Sequence, residues 1–114
     1  MKKTLWMTFA LVAVLGIASE ASAANVWSDC TPAGVATFAN RVHVRCSASV
    51  SGGIFYFAVA TTDAAQAARF VSVATSALVA GRPLKVWYDP ADLSGANFGC
   101  ATSDCRRAQA LELF

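Results

Sequence analysis

The sequence predicts a small α+β domain in which a curled antiparallel sheet packs against a single helix. Three observations carry this expectation: period-two alternation around residues 41–46, an alanine-rich helical pattern at 64–80 between a capping residue and a glycine, and four cysteines in a short chain. With 114 residues, 56% hydrophobic and 14% charged, the chain is too apolar for a disordered tail and too short for two ordinary domains.

Lys2 and Lys3 precede an apolar run from Leu5 to Ala18, and Ala21-Ser22-Ala23 supplies the small residues that a signal peptidase reads. Residues 1–23 are therefore expected to be a signal peptide cut after Ala23, leaving 24–114 as a single domain. The uncharged stretch is about 16 residues, short of the roughly 20 that cross a bilayer as a helix. No membrane span is expected after cleavage, and the location should be periplasmic or secreted. Nine basic residues face seven acidic ones; without Lys2, Lys3 and Glu20 the balance is seven to six. Such a balance supplies no strongly basic surface, so no nucleic-acid partner is expected.

Export changes what the cysteines mean, because an oxidising compartment favours crosslinks over thiol chemistry. Cys30, Cys46, Cys100 and Cys105 allow three pairings. Cys100 and Cys105 are close enough in sequence to close a local loop, which leaves Cys30 for Cys46. Neither pair has the two-residue spacing of a zinc site and His43 is the sole histidine, so no metal or other cofactor is expected.

From Arg41 to Cys46, Val42, Val44 and Cys46 alternate with Arg41, His43 and Arg45, the pattern of a strand with one buried and one wet face. Ser51-Gly52-Gly53 supplies a turn. Ile54 to Ala60 is apolar without alternation, which predicts a hairpin partner covered on both faces. Gly34 to Ala39 extends the first strand backward or forms another. Asp63 and Gln66 resemble a capping pair, and Ala67, Phe70, Ala74, Ala77 and Leu78 share one helical face, so a helix is expected from Ala64 to Ala80. Gly81 can end it in a left-handed conformation and Pro83 prevents its continuation. Leu84, Val86 and Tyr88 then alternate with Lys85 and Trp87 in a strand closed by Asp89-Pro90. Ala91 to Gly99 reads as loop, and Ala108 to Phe114 as a final strand. Taken together, these elements best fit a five-stranded, OB-fold-like antiparallel barrel with one helix, at about 64–80, before the fourth strand.

The run Ala80-Gly81-Arg82-Pro83-Leu84-Lys85-Val86-Trp87-Tyr88-Asp89-Pro90, followed by the close pair Cys100 and Cys105, resembles the B subunits of subtilase cytotoxin and typhoid toxin over roughly Asp63 to Cys105. The resemblance implies an exported barrel that forms a pentamer, recognises host or surface glycans and carries an enzymatic A subunit. Ser28 and Thr31 lie in the general region that the resemblance marks for glycan contact. Beside it, the residues alone offer Trp87 and Lys85 on the outer side of their strand. There the indole can stack on a sugar or pack into a neighbouring subunit, and Trp27 is a second, similar candidate.

Catalysis has little to stand on. No nucleophile elbow occurs, the cysteines are expected to be oxidised, and nothing in the spacing of Asp29, Asp89, Asp92 and Asp104 selects a carboxylate pair. Arg41, His43 and Arg45 could hold an anion, but read first as a solvated strand face. The expected function is a noncatalytic, glycan-binding module with ligand contacts at Trp87, Lys85, Trp27, Ser28 and Thr31. The alternative is a monomeric periplasmic interaction or inhibitor protein with no sugar ligand.

Overall fold

A computed structural model describes residues 24–114; the expected signal peptide, residues 1–23, lies outside the described residues. The described residues form seven strands and one α-helix in the order β1 (Val26–Cys30), β2 (Pro32–Thr37), β3 (Arg41–Val50), β4 (Ile54–Ala60), α1 (Ala64–Ala80), β5 (Leu84–Tyr88), β6 (Cys105–Arg107) and β7 (Ala110–Leu113). A short 3-10 helix, Ser94–Phe98, lies between β5 and β6. The strands divide between a three-stranded sheet in the order β1-β5-β7 and a four-stranded sheet in the order β2-β3-β4-β6. Every ladder is antiparallel except β4 with β6. The domain is thus a small α+β unit of two sheets and one helix. Seven separate strand segments stand among the described residues, and one ladder is parallel because the chain leaves β4 through α1 and β5 before returning as β6.

The alternation read at Arg41–Cys46 is the structure of β3: Val42, Val44 and Cys46 are buried, while Arg41, His43 and Arg45 look outward. The strand continues to Val50, and Gly52 and Gly53 turn it into β4 with φ of 88° and 77°. Phe57, Ala58 and Val59 are buried, but Phe55 at the start of β4 is exposed. Cover on both faces therefore holds only for the middle of this strand. Phe57 and Val59 point into the main core, whereas Ala58 meets Phe98, Cys100 and Cys105, a second small cluster on the other side of the sheet.

The helix has the bounds the pattern predicts. Asp63 accepts a hydrogen bond from the Gln66 backbone N–H at 3.0 Å, satisfying one of the donors that a helix start leaves unpaired. Gly81 closes the other end at φ 65°, a conformation that costs a residue with a Cβ. Ala67, Phe70, Ala74 and Ala77 are buried, and Leu78 is half-buried. Three alanines on that face let the helix approach the sheets closely, so Phe70 can reach a core built from both sheets: Val44, Phe57, Leu84, Val86 and Tyr88. The Phe57 and Tyr88 rings meet edge to face at 4.7 Å.

Three segments differ from the expectation. Val26–Cys30 is a strand, β1, because each of its residues pairs with one of β5 in an antiparallel ladder. The Ala91–Gly99 loop contains the 3-10 helix, and Asp89 and Asp92 initiate its turns by accepting from the Ala91 and Ser94 backbone N–H groups, each at 2.9 Å. The chain between Gly99 and Ala108 holds β6, whose three residues pair with Tyr56, Phe57 and Ala58.

Disulfides join Cys30 to Cys46 and Cys100 to Cys105, with Cα separations of 5.2 Å in both. The first ties β1 of one sheet to β3 of the other. The second closes the short Cys100–Cys105 loop and packs with Phe98 against Ala58 of β4. Among the described residues no helix is long and apolar enough to cross a membrane.

Candidate functional site

Strand β5 is central in its sheet, and its register decides which side chains share a face. Leu84, Val86 and Tyr88 point into the core, so Lys85 and Trp87 must point outward. On β1, Trp27 stands opposite Trp87 and Asp29 opposite Lys85; on β7, Ala110 stands opposite Trp87 and Glu112 opposite Lys85. Two rows result: Trp27, Trp87 and Ala110, then Asp29, Lys85 and Glu112.

The two indoles pack with centroids 4.9 Å apart and planes tilted by 41°. Trp27 is nevertheless 47% exposed, so the pair offers ring surface to solvent. Lys85 is 3.7 Å from the Asp29 carboxylate and holds its ammonium 4.6 Å from the centre of the Phe114 ring. Both members of that ion pair are substantially exposed, so it orients Lys85 and adds little stability. Arg82 donates to the Phe114 backbone oxygen at 2.6 Å and fixes that residue beside β5. The result is an open aromatic platform rimmed by one ammonium and two carboxylates. It can stack on the C–H face of a flat ligand and bond its hydroxyls or amides at the rim.

Of the residues singled out in the sequence, the structure brings Trp27, Trp87 and Lys85 together. Ser28 is on the opposite face of β1, its Oγ 3.4 Å from the hydroxyl of the buried Tyr88. That placement gives Ser28 a structural task, because a buried phenol needs a partner. Thr31 is exposed between β1 and β2, away from the indole row, and its carbonyl accepts from the Ser47 N–H at 2.8 Å. Asp29, Glu112 and Phe114 are members of the platform that sequence reasoning missed. Alternation within the last strand places Glu112 on the face opposite Leu111 and Leu113, but only the β5–β7 register puts it next to Lys85.

Asp92 is held ionised below the usual carboxylate range, first by hydrogen bonds from the Ser94 side chain and backbone, with Arg107 and Arg106 adding to the effect. Such a group shapes a turn; it is poorly suited to general acid catalysis at neutral pH. No three His, Cys, Asp or Glu side chains among the described residues converge as metal ligands. Comparison of the chain with protein-family models, with curated proteins and with solved structures finds no match.

Proposed function

We propose that the chain is an exported, noncatalytic binding module that recognises a glycan on the outer face of β1, β5 and β7. The carrying observation is the Trp27–Trp87 pair: an exposed indole packed on a half-buried one, set beside Lys85, Asp29 and Glu112. Aromatic surface with a charged rim suits a sugar, which presents an apolar ring face and polar edges.

The proposal includes a barrel of the oligonucleotide/oligosaccharide-binding type. Strands β1 and β2 follow one another through Thr31, and β6 and β7 through Ala108 and Gln109. Counting each consecutive pair as one bent strand leaves five strands whose neighbours run in a ring, which supports this reading. The Gly81 stop, Pro83, the β5 strand, the Asp89-Pro90 turn and the late disulfide support kinship with the toxin B subunits, and with it a ring of five copies and an enzymatic partner. The two disulfides support export to the periplasm or beyond.

Native mass spectrometry of the mature protein and a broad glycan array test this. Pentamers, and glycan binding that Trp87→Ala abolishes without loss of folding, are expected. A strict monomer that binds nothing on the array refutes it. One observation favours a second reading, a monomeric interaction or inhibitor protein: Val26, Leu113 and Phe114 are exposed at the ends of the same sheet, an apolar margin better suited to a protein surface. Co-purification of a periplasmic protein that Trp87→Ala prevents, with an empty glycan array, selects that reading.

A further inference from the structure

A recessed surface lies on the outer side of the other sheet. It is a cleft of about 290 Å³ between the outward row of β3 and the chain from Gly99 to Cys105, lined by Arg41, His43, Arg45, Tyr56 and Asp104 among others. Its floor is aromatic: His43 packs against Tyr56 at 5.0 Å and against Phe38 at 5.1 Å. Ala36 and Ala58, the residues directly opposite His43 on the neighbouring strands, are small and leave the imidazole standing between the two rings.

Arg106 is consumed by the fold, donating to the carbonyls of Pro90, Thr102 and Cys105 at 2.7 Å each. Arg41 and Arg45 make only long bonds, to Asn40 Oδ1 at 3.3 Å and to the Ala33 carbonyl at 3.4 Å, and neither has a carboxylate partner within 4.0 Å among the described residues. Both are nonetheless seated. A Cβ on Gly99 would lie 2.7 Å from Arg41 Nη1, and one on Gly34 would lie 3.2 Å from Arg45 Nη2, so each guanidinium tip rests against a bare glycine backbone. Arg41 is also stacked on the Phe38 ring at 4.1 Å. Both guanidinium groups therefore keep most of their fork of donors free for a ligand that can accept two hydrogen bonds at once.

The charge is uneven along the cleft. Asp104 precedes β6 and its carbonyl accepts from the Phe55 and Tyr56 N–H groups, which sets it at the Tyr56 and Arg45 end. The Arg41 end has Phe38, Asn40 and Gly99 and no carboxylate lining it. We propose that this cleft binds a small ring-bearing oxyanion, its carboxylate, sulfate or phosphate held by Arg41 beside Asn40 and its ring lying over His43 and Tyr56. The site is separate from the indole platform and does not depend on it.

The charged and titratable groups facing His43 are Arg41 and Arg45 on its own strand, Tyr56 on β4 and Asp104 before β6. Burial first, then Arg41 and Arg45, hold the imidazole below its ordinary value of 6.5, so it is neutral at pH 7 and charges in acid. A bound anion meets a third cation once His43 is protonated, and binding tightens several-fold as the pH falls below that range.

The test is an amide chemical-shift titration of the oxidised mature protein with benzoate, with phenyl phosphate and with benzamide, the uncharged isostere of benzoate, at constant ionic strength. Saturable shifts at β3 and at residues 99–105 are expected, with dissociation constants of about 1 mM for the anions. Benzamide should bind at least about tenfold more weakly, since it cannot form a charge-assisted pair. Response to benzoate alone assigns the cleft to carboxylates, and response to phenyl phosphate alone to phosphate or sulfate esters; either upholds the proposal. Arg41→Gln should weaken binding about tenfold, and Arg41→Lys, which keeps the charge but loses the fork, several-fold. His43→Gln should remove the pH dependence. Equal affinity for benzamide, shifts spread evenly over all basic side chains, or no saturable shift overturns the proposal. Should Arg41→Gln fail to fold, Arg41→Lys decides in its place: a several-fold loss upholds the site, and unchanged affinity overturns it.

Discussion

Removing the Cys30–Cys46 crosslink should cost more stability than removing Cys100–Cys105, and the structure gives the size of the difference. All four sulfurs are buried, so replacing either pair by alanines discards a similar amount of buried sulfur. What differs is the loop each bond closes in the unfolded chain, with sequence separations of 16 and 5. The closure entropy of such loops corresponds to about 3 kcal/mol for the longer and about 2 kcal/mol for the shorter, a difference of about 1 kcal/mol. A domain of this size has about 5 to 13 kcal/mol to lose, so either change is measurable and neither need abolish folding. Urea unfolding of Cys30→Ala/Cys46→Ala and Cys100→Ala/Cys105→Ala, followed by tryptophan fluorescence and by circular dichroism, reads the two values. The first variant should also lose the Trp27–Trp87 signal ahead of the helix, because its bond ties β1 to the other sheet. Equal losses, or a larger loss for the Cys100–Cys105 pair, would show that native packing around the sulfurs and not chain entropy sets their worth.

Asp63→Ala should destabilise the protein by about 1 kcal/mol through loss of the bond to the Gln66 N–H, and Asp63→Asn should recover most of it in the same urea assay. Gly95→Ala should cost about 1 to 3 kcal/mol by overpacking, since its Cβ would come within 2.8 Å of Cys100 Cβ, which the disulfide prevents from moving; a thermal melt unchanged from the parent would refute that contact. His43 contributes a pH dependence of known sign. Its pKa is lowered on folding, so below 6.5 the unfolded chain binds more protons than the folded one, and stability falls as the medium is acidified through the folded value. In His43→Gln this part of the profile should be flat.

Much of the local structure was legible because short-range physics sets it. Asp63, Gly81 and Pro83 bound the helix through backbone groups a few residues away, and the alternation at Arg41–Cys46 and Leu84–Tyr88 separates wet from buried faces without knowledge of any partner. Strand β1 was not legible, since Val26-Trp27-Ser28-Asp29-Cys30 leaves all but Cys30 at least partly exposed and shows no apolar alternation. Strand β6 was hidden for a different reason. Cys105–Arg107 is three residues long and polar, and it is a strand only because β4 offers it a free edge.

The sequence by itself determined the helix and its ends, the two strongly alternating strands, the Ser51–Gly53 turn and the facing of Trp87 and Lys85 away from Leu84 and Val86, because each depends on neighbours within about one turn or one strand pair. Tertiary structure alone decided that Trp27 meets Trp87, that Ser28 turns inward to Tyr88, and that Arg41 and Arg45 rest over Gly99 and Gly34. Those are pairings between segments up to 60 residues apart, set by which strand edges and core faces find each other. Register across a ladder is a property of two strands together, and neither strand's own residues specify it.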